Sequence, residues 1–277
     1  MIRIGDYNVL KVARSTSVGV FLEDVDGTEI LLPNKYVPED IRLDQSLEVF
    51  CYLDHEERPV ATTLKPLVAR DQFAYLKVAQ VNKIGAFLDW GLEKQLLVPF
   101  MEQRTRMEEG NSYVVHCFLD EESFRLVAST KVDKFFKKKG VDHKVNDQVN
   151  LLIHRKTDLG WEVIINNSGK GLLFFSDVFK EINVGDRCSG YIKTVREDGK
   201  VDISLEPIGL KILDAAASRI LDELNKRNGF LALHDKSSPE EIKNVLQMSK
   251  KSFKKGVGVL YKQRKIQLLP NGIKQNN

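Results

Sequence analysis

Apolar and polar residues alternate along most of the first two-thirds of the chain, and short turn-forming clusters cut that alternation into brief runs. A period of two places successive side chains on opposite faces of a strand. Tyr7 to Ala13 alternates, and Ser15-Thr16-Ser17 turns the chain into Val18-Gly19-Val20-Phe21-Leu22-Glu23. Asp24-Val25-Asp26-Gly27 has hairpin chemistry, followed by a strand from Thr28 to Leu32. Leu47 to Leu53 and Val60 to Thr63 complete the set. The same order returns 66 residues later: Gly19 matches Gly85, Phe21 matches Phe87, Pro33 matches Pro99 and Asp54 matches Asp120. Val49-Phe50-Cys51-Tyr52-Leu53 likewise matches Val115-His116-Cys117-Phe118-Leu119. Such a repeat means one module copied in series. Five strands in about 65 residues predict an OB-type barrel rather than a sandwich, which needs about 100.

A more divergent third copy is expected over 145–207. Its strands are Leu151-Leu152-Ile153, Gly160 to Ile165, Gly171 to Ser176, Gly190 to Val195 and Gly199 to Leu205. The linker before it, Lys134-Phe135-Phe136-Lys137-Lys138-Lys139-Gly140, is basic. After Pro207 the period becomes helical: Ile212, Leu213, Ala216, Ile220 and Leu224 share one face, and Asn228-Gly229 ends the helix. Phe230 to Leu233 reads as a short strand. Ser238-Pro239-Glu240-Glu241 starts a second helix with a capping box. Ser249 caps a third, which turns Phe253, Val257 and Leu260 inward, and Lys265 to Leu269 with Asn271-Gly272 forms a terminal hairpin. Three helices and a hairpin make a winged helix-turn-helix. The expected fold is therefore mainly β with an α/β C-terminal domain: three tandem OB barrels over 1–66, 67–136 and 145–207, and a winged helix over 208–277.

Charge sharpens this picture. The net charge of the whole chain is only +3, but residues 1–66 carry −5 and residues 208–277 carry +8. That asymmetry points to a polyanion at the C-terminal quarter. Cys51, Cys117 and Cys188 are odd in number and widely spaced, which fits buried thiols rather than a disulfide framework or a zinc site. The N-terminus lacks an apolar leader core and no apolar run is long enough to span a bilayer, so a cytoplasmic location with no membrane partner is expected. No HExxH, GxSxG or phosphate-loop motif occurs, and the five histidines are scattered. The expectation is a non-enzyme with no catalytic residue, metal or cofactor.

The string Gly85-Ala86-Phe87-Leu88-Asp89, with its copy Gly19-Val20-Phe21-Leu22-Glu23, resembles the RNA-binding module named after ribosomal protein S-one. Val184-Gly185-Asp186 and Gly199-Lys200-Val201-Asp202-Ile203-Ser204-Leu205 resemble that module's last strands. The order of three such modules and a winged helix resembles the conserved virulence factor B family of bacteria. Asp235-Lys236-Ser237-Ser238-Pro239-Glu240 and Ser249-Lys250-Lys251-Ser252-Phe253-Lys254-Lys255 carry its C-terminal signature. The resemblance implies RNA binding with a post-transcriptional role, including at virulence genes.

Strand alternation turns Phe21 and Phe87 outward, where an aromatic ring serves as a stacking platform for an unpaired base. The S-one resemblance adds Arg58, paired with Asp54, and Arg125, paired with Asp120 across one inserted residue. In the third module it adds Trp161, Phe174 and Lys200, although Glu162 stands in the phenylalanine's place. Pro33 and Pro99 replace the family's histidine, and Val18, Ile84 and Leu159 its first aromatic. From Ser249 to Lys265 there are seven basic residues and no acidic one: Lys250, Lys251, Lys254, Lys255, Lys262, Arg264 and Lys265. These are the expected phosphate contacts. The expected partner is single-stranded RNA. The rivals are duplex DNA on the winged helix, and a ribonuclease or nuclease-associated factor.

Overall fold

The computed structural model describes residues 1–136, 143–207 and 210–276. They form two compact units, Met1–Phe136 and Lys137–Asn277. Lys137 to Gly140 of the basic linker lie outside the described residues, as do the side chains of Ile212 and Leu213.

The first unit holds two closed five-stranded barrels. Strands β1 (Asp6–Ser15), β2 (Gly19–Glu23), β3 (Glu29–Pro33), β4 (Ser46–Leu53) and β5 (Pro59–Thr62) lie in the order β1-β2-β3-β5-β4. Strands β6 (Gln72–Val81), β7 (Gly85–Asp89), β8 (Leu96–Pro99), β9 (Ser112–Leu119) and β10 (Leu126–Ser129) repeat it. Every neighbouring pair is antiparallel except the parallel contacts β3–β5 and β8–β10, which close the barrels. The connection from the third strand to the fourth opens with a 3-10 turn, at Asn34–Tyr36 and at Phe100–Glu102, and continues as loop. Leu10, Val12, Val20, Leu22, Ile30 and Leu32 fill the first interior, as their alternation requires. Phe50, on the opposite face of β4, is fully buried: Trp90 of the second barrel lies edge-on at 5.8 Å and Tyr7 at 5.3 Å. Phe50, Tyr52 and Val60 thereby join the apolar core of the second barrel and tie the two barrels together.

The second unit contains the third barrel: β11 (Gln148–Lys156), β12 (Gly160–Ile165), β13 (Gly169–Phe174), β14 (Arg187–Val195) and β15 (Val201–Ser204). It closes as fully as the others despite its divergent sequence. Strand β13 starts two residues before the expected Gly171 and ends at Phe174, because Phe175 opens a 3-10 turn. Strand β15 starts at Val201 rather than Gly199, since Gly199 takes the left-handed turn conformation with φ 79°.

Two local features recur in all three barrels. At Gly19, Gly85 and Gly160 a Cβ would lie 2.2, 2.3 and 2.2 Å from the carbonyl oxygens of Leu32, Val98 and Leu173. Only glycine admits that strand approach. A register slip also bends the first strand, between Val12 and Arg14, between Val78 and Gln80, and between Ile153 and Arg155. Such a bulge re-aims the side chain that follows it.

The C-terminal domain follows with α1 (Leu210–Lys226), β16 (Phe230–Leu231), α2 (Pro239–Leu246), α3 (Lys250–Lys262), β17 (Ile266–Leu269) and β18 (Gly272–Gln275). Strand β16 stops at Leu231 because it pairs with β18 over two residues only; the chain then turns at His234–Ser237. Ser238 and Glu241 form the full capping box of α2, and the Ser249 hydroxyl accepts from the Ser252 amide to cap α3. Helices α1 and α3 pack closely at Gly256, where a Cβ would meet Ile220 Cδ1 at 2.9 Å. Phe253 and Leu260 enter the core with Ile220, Leu224, Ile242 and Ile273, while Val257 is half-buried against it.

Candidate nucleic-acid interface

The bulges set the chemistry of each barrel's outer face. Beyond each slip, Arg14 pairs with Phe21, Gln80 with Phe87 and Arg155 with Glu162. The next strand carries Glu29 and Lys170 in corresponding registers, and Gln95, one residue before β8, is the counterpart of Glu29 in the repeat. In the first barrel Arg14 donates to both Glu29 carboxylate oxygens, at 3.0 and 2.7 Å, and its guanidinium lies 3.8 Å from the Phe21 ring centroid. The Arg14 guanidinium holds the Glu29 carboxyl below its ordinary range. One face of the Phe21 ring is thus covered. In the third barrel the buried Glu162 carboxylate takes Arg155 at 2.5 Å and Lys170 as its second cation. In the second barrel Gln80 Nε2 donates to Gln95 Oε1 at 3.0 Å, and among the described residues no cation lies over Phe87.

Phe87 is half-buried and lines a cleft of about 470 Å³ between the first two barrels. Gln80, Gln95, Trp90, Tyr52, Glu57 and Arg125 also line it. The Trp90 indole donates to the Lys94 carbonyl at 2.5 Å, which fixes the cleft's aromatic wall. Arg58 donates to Asp54 at 2.9 and 2.7 Å and meets Glu56 at 2.9 Å. Arg125 does not repeat that pairing. It donates to Glu57 of the first barrel at 3.0 Å, where Lys94 also lies at 3.1 Å, while Asp120 accepts from Ser123. The turn from Asp120 to Arg125 is one residue longer than that from Asp54 to Arg58; in both, the residue before the arginine is left-handed, Glu57 with φ 63° and Phe124 with φ 55°, and Phe124 is 68 % exposed.

In the third barrel, Trp161 packs against the interior cluster, at the position of Val20 and Ala86, so its ring does not stand on the outer face. Phe174 is half-buried, with Lys193 Nζ and the Arg196 guanidinium 5.8 and 5.9 Å from its ring centroid. Lys200 pairs with Asp198 at 2.7 Å, and Arg196 with Asp202 at 2.7 Å.

The third helix differs from all of this. Lys251, Lys254, Lys255, Lys262, Arg264 and Lys265 are exposed and Lys250 is half-buried. Among the described residues none of the seven has a carboxylate within ion-pair distance; Lys226, the last residue of α1, and Arg227, just after it, pair with Glu223. Gly258 lies on the same outer face, and a Cβ there would meet nothing within 4 Å. The face is therefore basic and low in relief. Behind it, the Ser252 hydroxyl donates to Glu206 at 2.6 Å. Burial raises the Glu206 pKa, against the Ser252 bond.

The model of the CvfB-like winged helix domain matches residues 218–274, and the S1 domain model matches residues 4–64. The uncharacterized protein YitL of Bacillus subtilis is 30% identical over 275 residues, covering 95% of this chain and 91% of that protein. Conserved virulence factor B of Staphylococcus epidermidis is 28% identical over 275 residues, covering 96% and 92%. The chain belongs to the conserved virulence factor B family. A crystal structure of a multidomain protein with nucleic acid binding domains from Streptococcus pneumoniae is 24% identical and covers 99% of this chain and 98% of its own, at a TM-score of 0.43. The S1 and winged-helix domains that define the family are nucleic-acid-binding types, and nucleic acid is the partner class that they support.

Other chemistry finds little footing. Burial pushes the Cys51 and Cys117 thiols up to about 12, so neither is a nucleophile. Cys188 is half-buried and free. Among the described residues, no three His, Cys, Asp or Glu side chains converge on a metal position. No helix among the described residues is long and apolar enough to cross a membrane. Sequence reasoning missed Gln80, Gln95, Trp90 and Phe124. The repeat itself held the signal for the first two, since they align with Arg14 and Glu29.

Proposed function

We propose that this member of the family is a non-enzymatic, cytoplasmic protein that binds single-stranded RNA, with a post-transcriptional role in gene expression that includes virulence genes where the host is a pathogen. The observation that carries the reading is Phe87: an aromatic ring that no cation covers among the described residues, beside the neutral amides of Gln80 and Gln95 at a cleft whose charged wall is Glu57, Lys94 and Arg125. An unpaired base can stack there, whereas a base inside a duplex cannot reach it. The barrels would hold the strand, and α3 with the turn after it would supply the phosphate contacts, because among the described residues none of its seven cations has a carboxylate within ion-pair distance, Lys250 alone feeling the charge of Glu241. Arg58, Arg125, Phe21, Phe174 and Lys200 remain proposed contacts that a strand must first release from the partners described above. Trp161, packed against the barrel interior, is a weaker candidate.

The same unpaired helix favours a second reading, duplex DNA on the winged helix. Its outer N-terminal positions are lysines, which suit phosphate contact better than base reading. Competition between single-stranded RNA and duplex DNA of the same sequence, at matched salt, separates the two. Tighter binding of the RNA is expected; equal or tighter binding of the duplex would overturn the proposal.

A further inference from the structure

We propose that the second barrel is the base-reading barrel of this protein, and that the neutral pair Gln80 and Gln95 contacts the edge of an unpaired nucleobase stacked on Phe87. The inference rests on the single-strand reading above and assigns it to one module.

The protein carries three copies of one site. Each barrel has a platform position, a residue beyond the bulge and a partner at the start of the neighbouring strand or one residue before it. In the first barrel these are Phe21, Arg14 and Glu29; the guanidinium lies 3.8 Å from the ring centroid and is held there by two hydrogen bonds. A base entering this site must displace an arginine that is already stacked and paired. In the third barrel they are Glu162, Arg155 and Lys170. A carboxylate has no π-face, and its two cations are occupied in neutralising it. In the second barrel they are Phe87, Gln80 and Gln95. Among the described residues no ion pair joins these three positions, and the ring borders the 470 Å³ cleft, on whose far wall Arg125 and Lys94 pair with Glu57.

The amide pair also has chemistry left over. The bond from Gln80 Nε2 to Gln95 Oε1 uses one N–H and one lone pair. The Gln80 carbonyl, its second N–H and the Gln95 amino group remain available, so the pair offers both donors and acceptors. That is what a base edge needs, since Watson–Crick edges carry both. Gln80 is exposed and Gln95 half-buried, so the edge can be met without rebuilding the barrel.

The test exchanges the pairs between barrels without changing net charge. Gln80→Arg with Gln95→Glu installs the first barrel's ion pair in the second. Affinity for a fluorescein-labelled single-stranded oligouridylate, read by anisotropy, should fall roughly tenfold as the stacking face is covered. The reverse exchange, Arg14→Gln with Glu29→Gln, should tighten binding by up to about fivefold as Phe21 is uncovered. If the wild-type protein does not bind the oligouridylate at all, the single-strand reading fails. If it binds and the forward variant melts normally and binds equally well, the base-reading assignment is overturned. Should the forward variant melt early, the reverse variant decides: unchanged affinity there refutes the idea that ion pairs close the platform.

Discussion

Replacing Lys250, Lys251, Lys254 and Lys255 together by Gln should make RNA binding less sensitive to salt while leaving the winged helix at least as stable. The stability half follows from the helix itself. Lys250 and Lys254, and Lys251 and Lys255, are like charges one turn apart on α3, each pair unfavourable by roughly 0.2–0.5 kcal/mol. Gln and Lys have similar helix propensities, and the Ser249 cap, the Gly256 contact and the Phe253 anchor are untouched. The net expectation is a gain of a few tenths to about 1 kcal/mol. The binding half follows from counterion release. Each phosphate neutralised on a single strand contributes about −0.7 to the slope of log affinity against log salt. Lys251, Lys254 and Lys255 are exposed, whereas Lys250 is half-buried. Three contacts make the slope shallower by about 2, and four by about 3. Between about 50 and about 200 mM salt, the ratio of wild-type to variant affinity then shrinks roughly 15- to 50-fold. Anisotropy titrations across that range, with thermal melts alongside, measure both halves. A folded variant with the parent slope would show that this face meets solvent or a protein instead.

Phe87→Ala should weaken single-stranded RNA binding by about 1–3 kcal/mol without unfolding the barrel; unchanged affinity or a collapsed melting temperature would rule the platform out. Phe124→Asn should hold or raise stability by up to about 1 kcal/mol in urea unfolding, because Asn tolerates φ 55° and a 68 % exposed ring loses little packing; a clear loss would mean that the ring is packed after all. Acid should weaken the second barrel through His116, whose ring lies 4.0 Å from Phe135 and 4.5 Å from Phe73. Burial lowers its pKa to about 4, with Asp71 opposing and Lys134 assisting. The unfolded chain takes up the proton near the ordinary 6.5, so the stability is complete above that pH and declines as pH falls toward 4, by up to about 3 kcal/mol. His116→Phe should flatten that decline, and parallel acid profiles for the two proteins would refute the assignment.

Much of the fold was legible because the rules behind it are local. Alternation over Tyr7–Ala13, its return at Gly85 and Phe87, and the change to helical spacing after Pro207 depend only on which residues follow one another. Gly19, Gly85 and Gly160 keep a place that any Cβ would block with a strand carbonyl, so the repeat survives even where Glu162 replaces phenylalanine. Ser238 and Ser249 announce α2 and α3 because a cap is satisfied within its own turn. The basic run from Lys250 to Lys265 could likewise be read as a charge, but not as a free one. Whether a cation is free is a matter of what lies across from it. Arg125 was matched to Asp120 by spacing, yet it reaches Glu57 because two barrels are fastened through Phe50 and Trp90. Arg14 covers Phe21 because a bulge turns it there, and Gln80 leaves Phe87 open because the same bulge presents an amide. Sequence by itself determined the modules, their order and where charge is stored. Tertiary structure alone decided which charges are spent on one another, because ion pairing and ring covering act across strands and between barrels, at separations that no local pattern encodes.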